Sequence, residues 1–246
     1  MDEILLYLTI KYKSEWIAIY DSLQKREKIS IDHLNTILDK IDCKYLSLID
    51  NLYSENLKKI YKPPFGLFYY GNINLINTDS VTVIGNVNSE NLKYIEKIKK
   101  MDLTIAWYQL GSKQLTEILI NNGSNNIFVY DRVGQNNITY KQAISDQDTL
   151  ENNLFVSEVY DIDKSTQYDD QVPERIYFGL TRKILIIDKI GSKQLLGIIK
   201  FAKNENCEIY VLKSLNYKTF NIYKKHITVK EIDSIDEIEK FFSLKN

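Results

Sequence analysis

Residues 154–213, LFVSEVYDIDKSTQYDDQVPERIYFGLTRKILIIDKIGSKQLLGIIKFAKNENCEIYVLK, read as strand, loop, helix, strand, Gly-Ser turn, helix and strand. The run 184–187 is short, rich in isoleucine and bounded by charges, the pattern of a strand buried on both faces of a parallel sheet. Gly191 and Ser192 then open a segment whose Leu195, Leu196, Ile198, Ile199 and Ala202 cluster on one helical face, so strand feeds helix through a Gly-Ser junction. Residues 209–212 close the unit as a second strand. In an open α/β sheet ligands sit at the carboxyl ends of such strands, where the first N–H groups of the following helix point at an anion.

Upstream the same grammar repeats. Residues 81–84 read as a strand, Gly85 and Asn86 as its turn, and Leu92, Ile95 and Ile98 as the inner face of a helix with lysines outside. A strand at 103–107 runs into Gly111, Ser112 and Lys113, and a further strand is expected at 127–130. The string GSKQL occurs at 111–115 and again at 191–195. Each copy offers backbone donors, a serine hydroxyl and a lysine (Lys113 or Lys193), a set that can grip successive phosphates; each can equally do no more than open its helix. Neither is a Walker loop, and the Gly85 turn lacks the G-x-G-x-x-G spacing of a dinucleotide site.

The chain carries 32 basic and 33 acidic residues, a net charge of −1, so no global field attracts a polyanion and any such surface must come from local clustering. Cys43, Cys207, His33 and His226 stand apart, without zinc-ligand spacing. Asp161, Asp163, Asp169 and Asp170 lack EF-hand spacing and read as a solvated acidic loop rather than a magnesium site. No G-x-S-x-G or comparable constellation appears, so the expectation is a binding protein without catalytic residues, cofactor or metal. The N-terminal stretch shows neither a signal peptide nor a membrane span, and with reduced thiols the expected location is the cytoplasm.

Apolar residues from Ile4 to Leu23 recur near the helical period, and Ser30 is placed to cap a second helix through Ile41. Residues 1–42 are therefore expected as a small helical element and 43–246 as the main domain. Residues 44–50 read as a strand, 54–60 as a short helix, and Pro63-Pro64 as an extended turn before FGLFYYGN. Phe65, Phe68, Tyr69 and Tyr70 can stack bases, but aromatics in strands mostly pack in the core.

Two blocks resemble the DprA/Smf family of single-stranded DNA-binding proteins, which hand DNA to the RecA recombinase. In the first, Tyr53, Leu57, Ile60, Pro63, Pro64, Leu67, Phe68, Tyr69, Gly71 and Asn72 follow the family's Y-P-x-x-L-x-x-I-x-x-P-P-x-L-F-Y-x-G-N. In the second, Ser157, Glu158, Arg175, Ile176, Gly179, Leu180, the 184–187 strand, Gly191 and Ser192 follow its Ser-Glu, N-R-I-I-A-G-L and S-G-S-L-I-T-A elements in order. The chain departs where the family has Gly-Ser-Arg: here Gly85, Asn86 and Val87 stand, without the phosphate-contacting arginine. Glu174 replaces an asparagine, the family's S-G-L-A-x-G-I-D motif is reduced to Gly111, and the chain ends before the winged helix of some members.

The resemblance implies an α/β, Rossmann-like, mostly parallel sheet with helices on both faces. Taken with the strand-to-helix turns, it places single-stranded DNA at Gly85, Asn86, Gly111, Ser112, Lys113, Arg175, Gly191, Ser192 and Lys193, and the resemblance implies RecA and a second copy of the chain as partners. The alternatives are a module for a nucleotide or another small phosphorylated ligand, or a remnant kept for protein contacts.

Overall fold

The computed structural model describes residues 2–101, 103–108, 123–134, 150–161, 174–215 and 227–243. They hold nine strands and eight α-helices, and the chain divides into two compact units, 1–77 with 128–176 and 78–127 with 177–246. The division runs through strand β5 (Asn126–Val129).

In the first unit the apolar period of residues 4–23 is broken into α1 (Glu3–Lys11) and α2 (Trp16–Gln24) rather than continuing as one helix. Lys13 and Ser14 both adopt positive φ, 50° and 62°, and left-handed backbone ends a helix of L-residues. Helix α3 (Ile31–Leu38) starts as expected at Ser30, whose Oγ accepts from the His33 N–H. Tyr7, Leu8, Ile19, Leu34 and Ile37 bury the apolar faces of these three helices in a common cluster. That packing stabilises helices too short to persist alone.

Strand β1 (Lys44–Ser47), the single-turn α4 (Glu55–Lys58), β2 (Gly66–Gly71) and β6 (Asn153–Ser157) complete this unit's frame. The strands pair antiparallel, β1 with β2 and β2 with β6, in registers such as Tyr45↔Phe68 and Phe68↔Ser157. Phe68 is fully buried and Tyr69 nearly so, which assigns those rings to the core. The Pro63-Pro64 block is scaffold: the buried Tyr53 donates its hydroxyl to the Pro64 carbonyl at 2.7 Å, while Leu57, Ile60 and Leu67 are buried. At Gly71, φ is 86° and a Cβ would lie 2.0 Å from the Asn153 carbonyl oxygen, so only glycine fits where β2 leaves the sheet.

The second unit is an all-parallel sheet of β3 (Ser80–Ile84), β4 (Thr104–Tyr108), β7 (Lys183–Ile186), β8 (Glu208–Leu212) and β9 (Thr228–Ile232). Their order is β4-β3-β7-β8-β9. Val81, Val83, Ile84, Ile184, Leu185 and Ile186 are fully buried, as the apolar runs require of central parallel strands. Strand β9 carries Thr228, Lys230 and Glu231, whose polarity hid it from the apolar pattern; among the described residues it pairs with β8 alone.

Helix α5 (Leu92–Lys99) follows β3, α6 (Glu174–Leu180) precedes β7, α7 (Ser192–Glu205) follows β7 and α8 (Ile235–Phe242) follows β9. Helix α7 buries Leu195, Ile198, Ile199 and Ala202, while Leu196, expected on the same face, is 37% exposed. It ends at Asn206 in the left-handed conformation, a residue type that tolerates that cap. Among the described residues no helix is long and apolar enough to cross a membrane, and no group of three metal-binding side chains assembles.

Candidate functional site

Chain order fixes where a ligand can enter the second unit. From β3 the chain crosses through α5 to β4 on one side; the later crossover from β7 through α7 reaches β8 on the other. The sheet therefore reverses its winding between β3 and β7, and the carboxyl ends of those two strands open the crevice that doubly wound folds use for ligands. Gly85 and Asn86 leave β3 at this point; Asp188 through Lys193 lead from β7 into α7.

The two strand ends are locked together. The Ile187 N–H donates to the Ile84 carbonyl at 2.9 Å. Gly85 has φ 112°, and a Cβ there would lie 2.7 Å from the Asp188 Cβ and 2.8 Å from its backbone nitrogen. Both the left-handed backbone and the contact demand glycine. Asn86 donates its side-chain amide to Asp188 Oδ2 at 3.3 Å, and the Lys189 N–H donates to Asp188 Oδ1 at 2.7 Å.

Beneath the turn lies Asn91, 2% exposed. Its Nδ2 donates to the carbonyls of Asn86 at 2.9 Å and Ile187 at 3.0 Å, and its Oδ1 accepts from the Asn88 N–H at 2.8 Å. Asn88 Oδ1 in turn accepts from the N–H groups of Glu90 and Asn91. With donor and acceptor ends both committed, the amide joins the β3–α5 loop to the end of β7 and satisfies backbone groups that burial would otherwise leave unpaired. Sequence reading missed Asn91 and Asp188; the signal available was the Asn88-x-x-Asn91 spacing at a helix start, where such side chains bond nearby backbone.

Helix α7, like α5, starts without a side-chain cap, and its N-cap residue is Gly191. Gly191, Ser192 and Lys193 are exposed, and a Cβ at Gly191 would meet nothing within 4 Å. Fourteen residues of helix stand behind that terminus, so partial positive charge and N–H donors face the crevice mouth together with the lysines 189 and 193. The Asp188 carboxylate is the opposing charge. Of the residues expected to hold phosphate, Gly85, Asn86, Gly191, Ser192 and Lys193 thus share one set of strand ends; Gly111, Ser112 and Lys113 lie outside the described residues, as do Asp163, Asp169, Asp170 and His226.

Arg175 belongs to the first unit and is fully engaged there. Its Nε donates to both carboxylate oxygens of Glu158, at 2.7 and 2.8 Å, its Nη1 to the Lys62 carbonyl at 3.2 Å, and its Nη2 to the Ser14 carbonyl at 3.4 Å and to Glu158. Ser14 Oγ donates to the Glu158 carbonyl. Burial works against both charges. Glu158 outweighs it for the guanidinium, which is held above its usual range, while burial pushes the Glu158 carboxyl up against the pull of Arg175.

Comparisons with known proteins agree with this architecture. The family model for DNA recombination-mediator protein A matches residues 44–115. The structure of DNA processing protein A (DprA) from Streptococcus pneumoniae superposes with a TM-score of 0.65 at 19% identity, covering 98% of this chain and 94% of that one. A Helicobacter pylori DprA structure, described for its single-stranded DNA binding mode, superposes with a TM-score of 0.60 at 16% identity, covering 82% of this chain and 97% of that one. No curated protein sequence matches the chain. The chain thus carries a match to that family model over residues 44–115 and, at low sequence identity, shares the fold of the DprA structures along nearly its whole length.

Proposed function

We propose that the chain binds single-stranded DNA, holding backbone phosphates at the Gly85–Asn86 turn and at the open N-terminus of α7, Gly191 to Lys193, with the other GSKQL copy, Gly111 to Lys113, as a further phosphate contact. The observation that supports this most is the uncapped start of a 14-residue helix at the β3/β7 switch point, in a fold shared with a DprA described as binding single-stranded DNA. The protein acts in this reading by binding alone, with no bond made or broken, in DNA recombination or uptake.

The missing arginine after Gly85 changes how phosphate is held rather than whether the crevice can hold it. Backbone N–H groups and a flexible lysine replace a bidentate guanidinium, which lowers geometric specificity. Hand-over to RecA and pairing with a second copy of the chain belong to the same proposal.

Fluorescence anisotropy of labelled oligo-dT against duplex of equal length, at several salt concentrations, tests it. The expected result is single-strand preference that weakens with salt. Absence of binding at low salt, with thermal stabilisation by mononucleotides instead, sinks the proposal in favour of a small phosphorylated ligand.

A further inference from the structure

The first unit holds an aromatic and cationic surface that the phosphate site does not use. Trp16, at the start of α2, stacks with Tyr20 at 5.1 Å between centroids and 12° between planes, and with Phe65 at 5.2 Å and 29°. The Lys62 ammonium lies 5.6 Å from the Trp16 ring and 5.4 Å from the Tyr61 ring. Tyr61 is 77% exposed and Tyr20 44%.

This surface is held in place by strained, hydrogen-bonded backbone. Lys62 precedes Pro63 yet has φ 56°, a conformation disfavoured for any L-residue and more so before proline. The Lys62 carbonyl is fixed by Arg175, the Pro63 carbonyl by Trp16 Nε1 at 2.9 Å, and the Pro64 carbonyl by Tyr53. Arg175 also holds the Ser14 carbonyl at the left-handed α1–α2 turn. One half-buried guanidinium thereby positions both segments that supply the rings. Strain maintained this way, beneath exposed aromatic side chains, is a mark of a surface built for contact.

We propose that Trp16, Tyr20, Tyr61 and Lys62 form a base-stacking platform for single-stranded DNA, with Arg175 as its positioning residue. This rests on the reading of the chain as a single-strand binder and adds a site for bases to the site for phosphates. The run from Lys58 to Lys62 places three lysines around Tyr61. Lys58 is paired with Glu55 at 2.8 Å, so Lys59 and Lys62 supply the charge complementary to a polyanion beside rings complementary to base faces. A duplex hides those faces; a single strand offers them.

The test compares oligo-dT with an abasic oligonucleotide of equal length. Trp107 is 1% exposed, so tryptophan quenching on binding reports Trp16, and Trp16→Phe removes the signal. Tyr61→Ala, at an exposed ring, keeps the thermal midpoint and weakens oligo-dT binding about tenfold while leaving abasic binding unchanged. Equal affinity for both strands with unchanged tryptophan emission overturns the platform and leaves the phosphate site standing. Loss on Tyr61→Ala with a salt slope insensitive to Lys193→Ala supports the platform and sinks the phosphate site; no binding to either strand at low salt overturns both.

Discussion

Gly85 and Asp188 approach so closely that a single methyl group on Gly85 would fall 2.7 Å from the Asp188 Cβ. The contact joins the ends of β3 and β7 at the switch point and sets the floor of the crevice. Gly85→Ala must therefore move β7's exit or abandon φ 112°, at a cost of about 1–3 kcal/mol from the backbone alone. Thermal unfolding is expected to show a midpoint several degrees lower, with single-strand affinity reduced as well; a wild-type midpoint contradicts the contact.

The same proximity places a carboxylate where phosphate would sit. Asp188→Asn keeps an acceptor for the Lys189 N–H and removes the charge. Single-strand binding should tighten two- to fivefold at low salt, about 0.5–1 kcal/mol, with the gain fading as salt screens it. Anisotropy titrations of wild type and variant at two ionic strengths check this, and weaker binding by the variant would mean that Asp188 organises the site instead of opposing the ligand.

Arg175 and Glu158 carry a structural prediction. Arg175→Met leaves a buried carboxylate and frees the carbonyls of Lys62 and Ser14, a change of the kind that costs about 3–5 kcal/mol. Urea denaturation is the measurement. A loss under 1 kcal/mol would show that the pair is dispensable for the first unit and would reopen Arg175 as a ligand contact.

Glu27 gives the helices at the N-terminus an acid sensitivity. Its carboxylate accepts from Lys11, Ser22 and, at 2.5 Å, Tyr12; the Lys11 hydrogen bond foremost holds its pKa at about 2, below the usual 4.5. A depressed carboxylate pKa stabilises the fold above the unfolded value and loses that contribution as pH falls toward the folded one. The difference in urea midpoint between wild type and Glu27→Gln should accordingly be full at pH 5 and shrink toward pH 2. A difference independent of pH would remove the charge from the explanation.

Much of the second unit was legible because central parallel strands are apolar throughout: 81–84, 103–107, 184–187 and 209–212 each lie within a residue or so of a real strand. The Gly-Ser junction at 191–192 was legible for the same reason, as the first polar break after such a run. Three features were not. The break at Lys13 and Ser14 depends on distant partners, Glu158 and Arg175, and leaves no mark on the helical period. Strand β9 is largely polar, in keeping with its place at the end of the described sheet. Asn91 and Asp188 act through groups brought together by β3–β7 pairing, the Ile187 carbonyl and the Asn86 side-chain amide, 96 and 102 residues away, a distance that no local pattern spans.

If Lys193 and the α7 N-terminus hold a phosphate of single-stranded DNA, the salt dependence of affinity reports it. Log affinity for oligo-dT against log salt should give a slope shallower by about 0.7 in Lys193→Ala than in wild type, one phosphate contact fewer on a single strand. An unchanged slope with unchanged affinity would contradict the account, because a lysine at the switch point that releases no counterion is not touching the backbone.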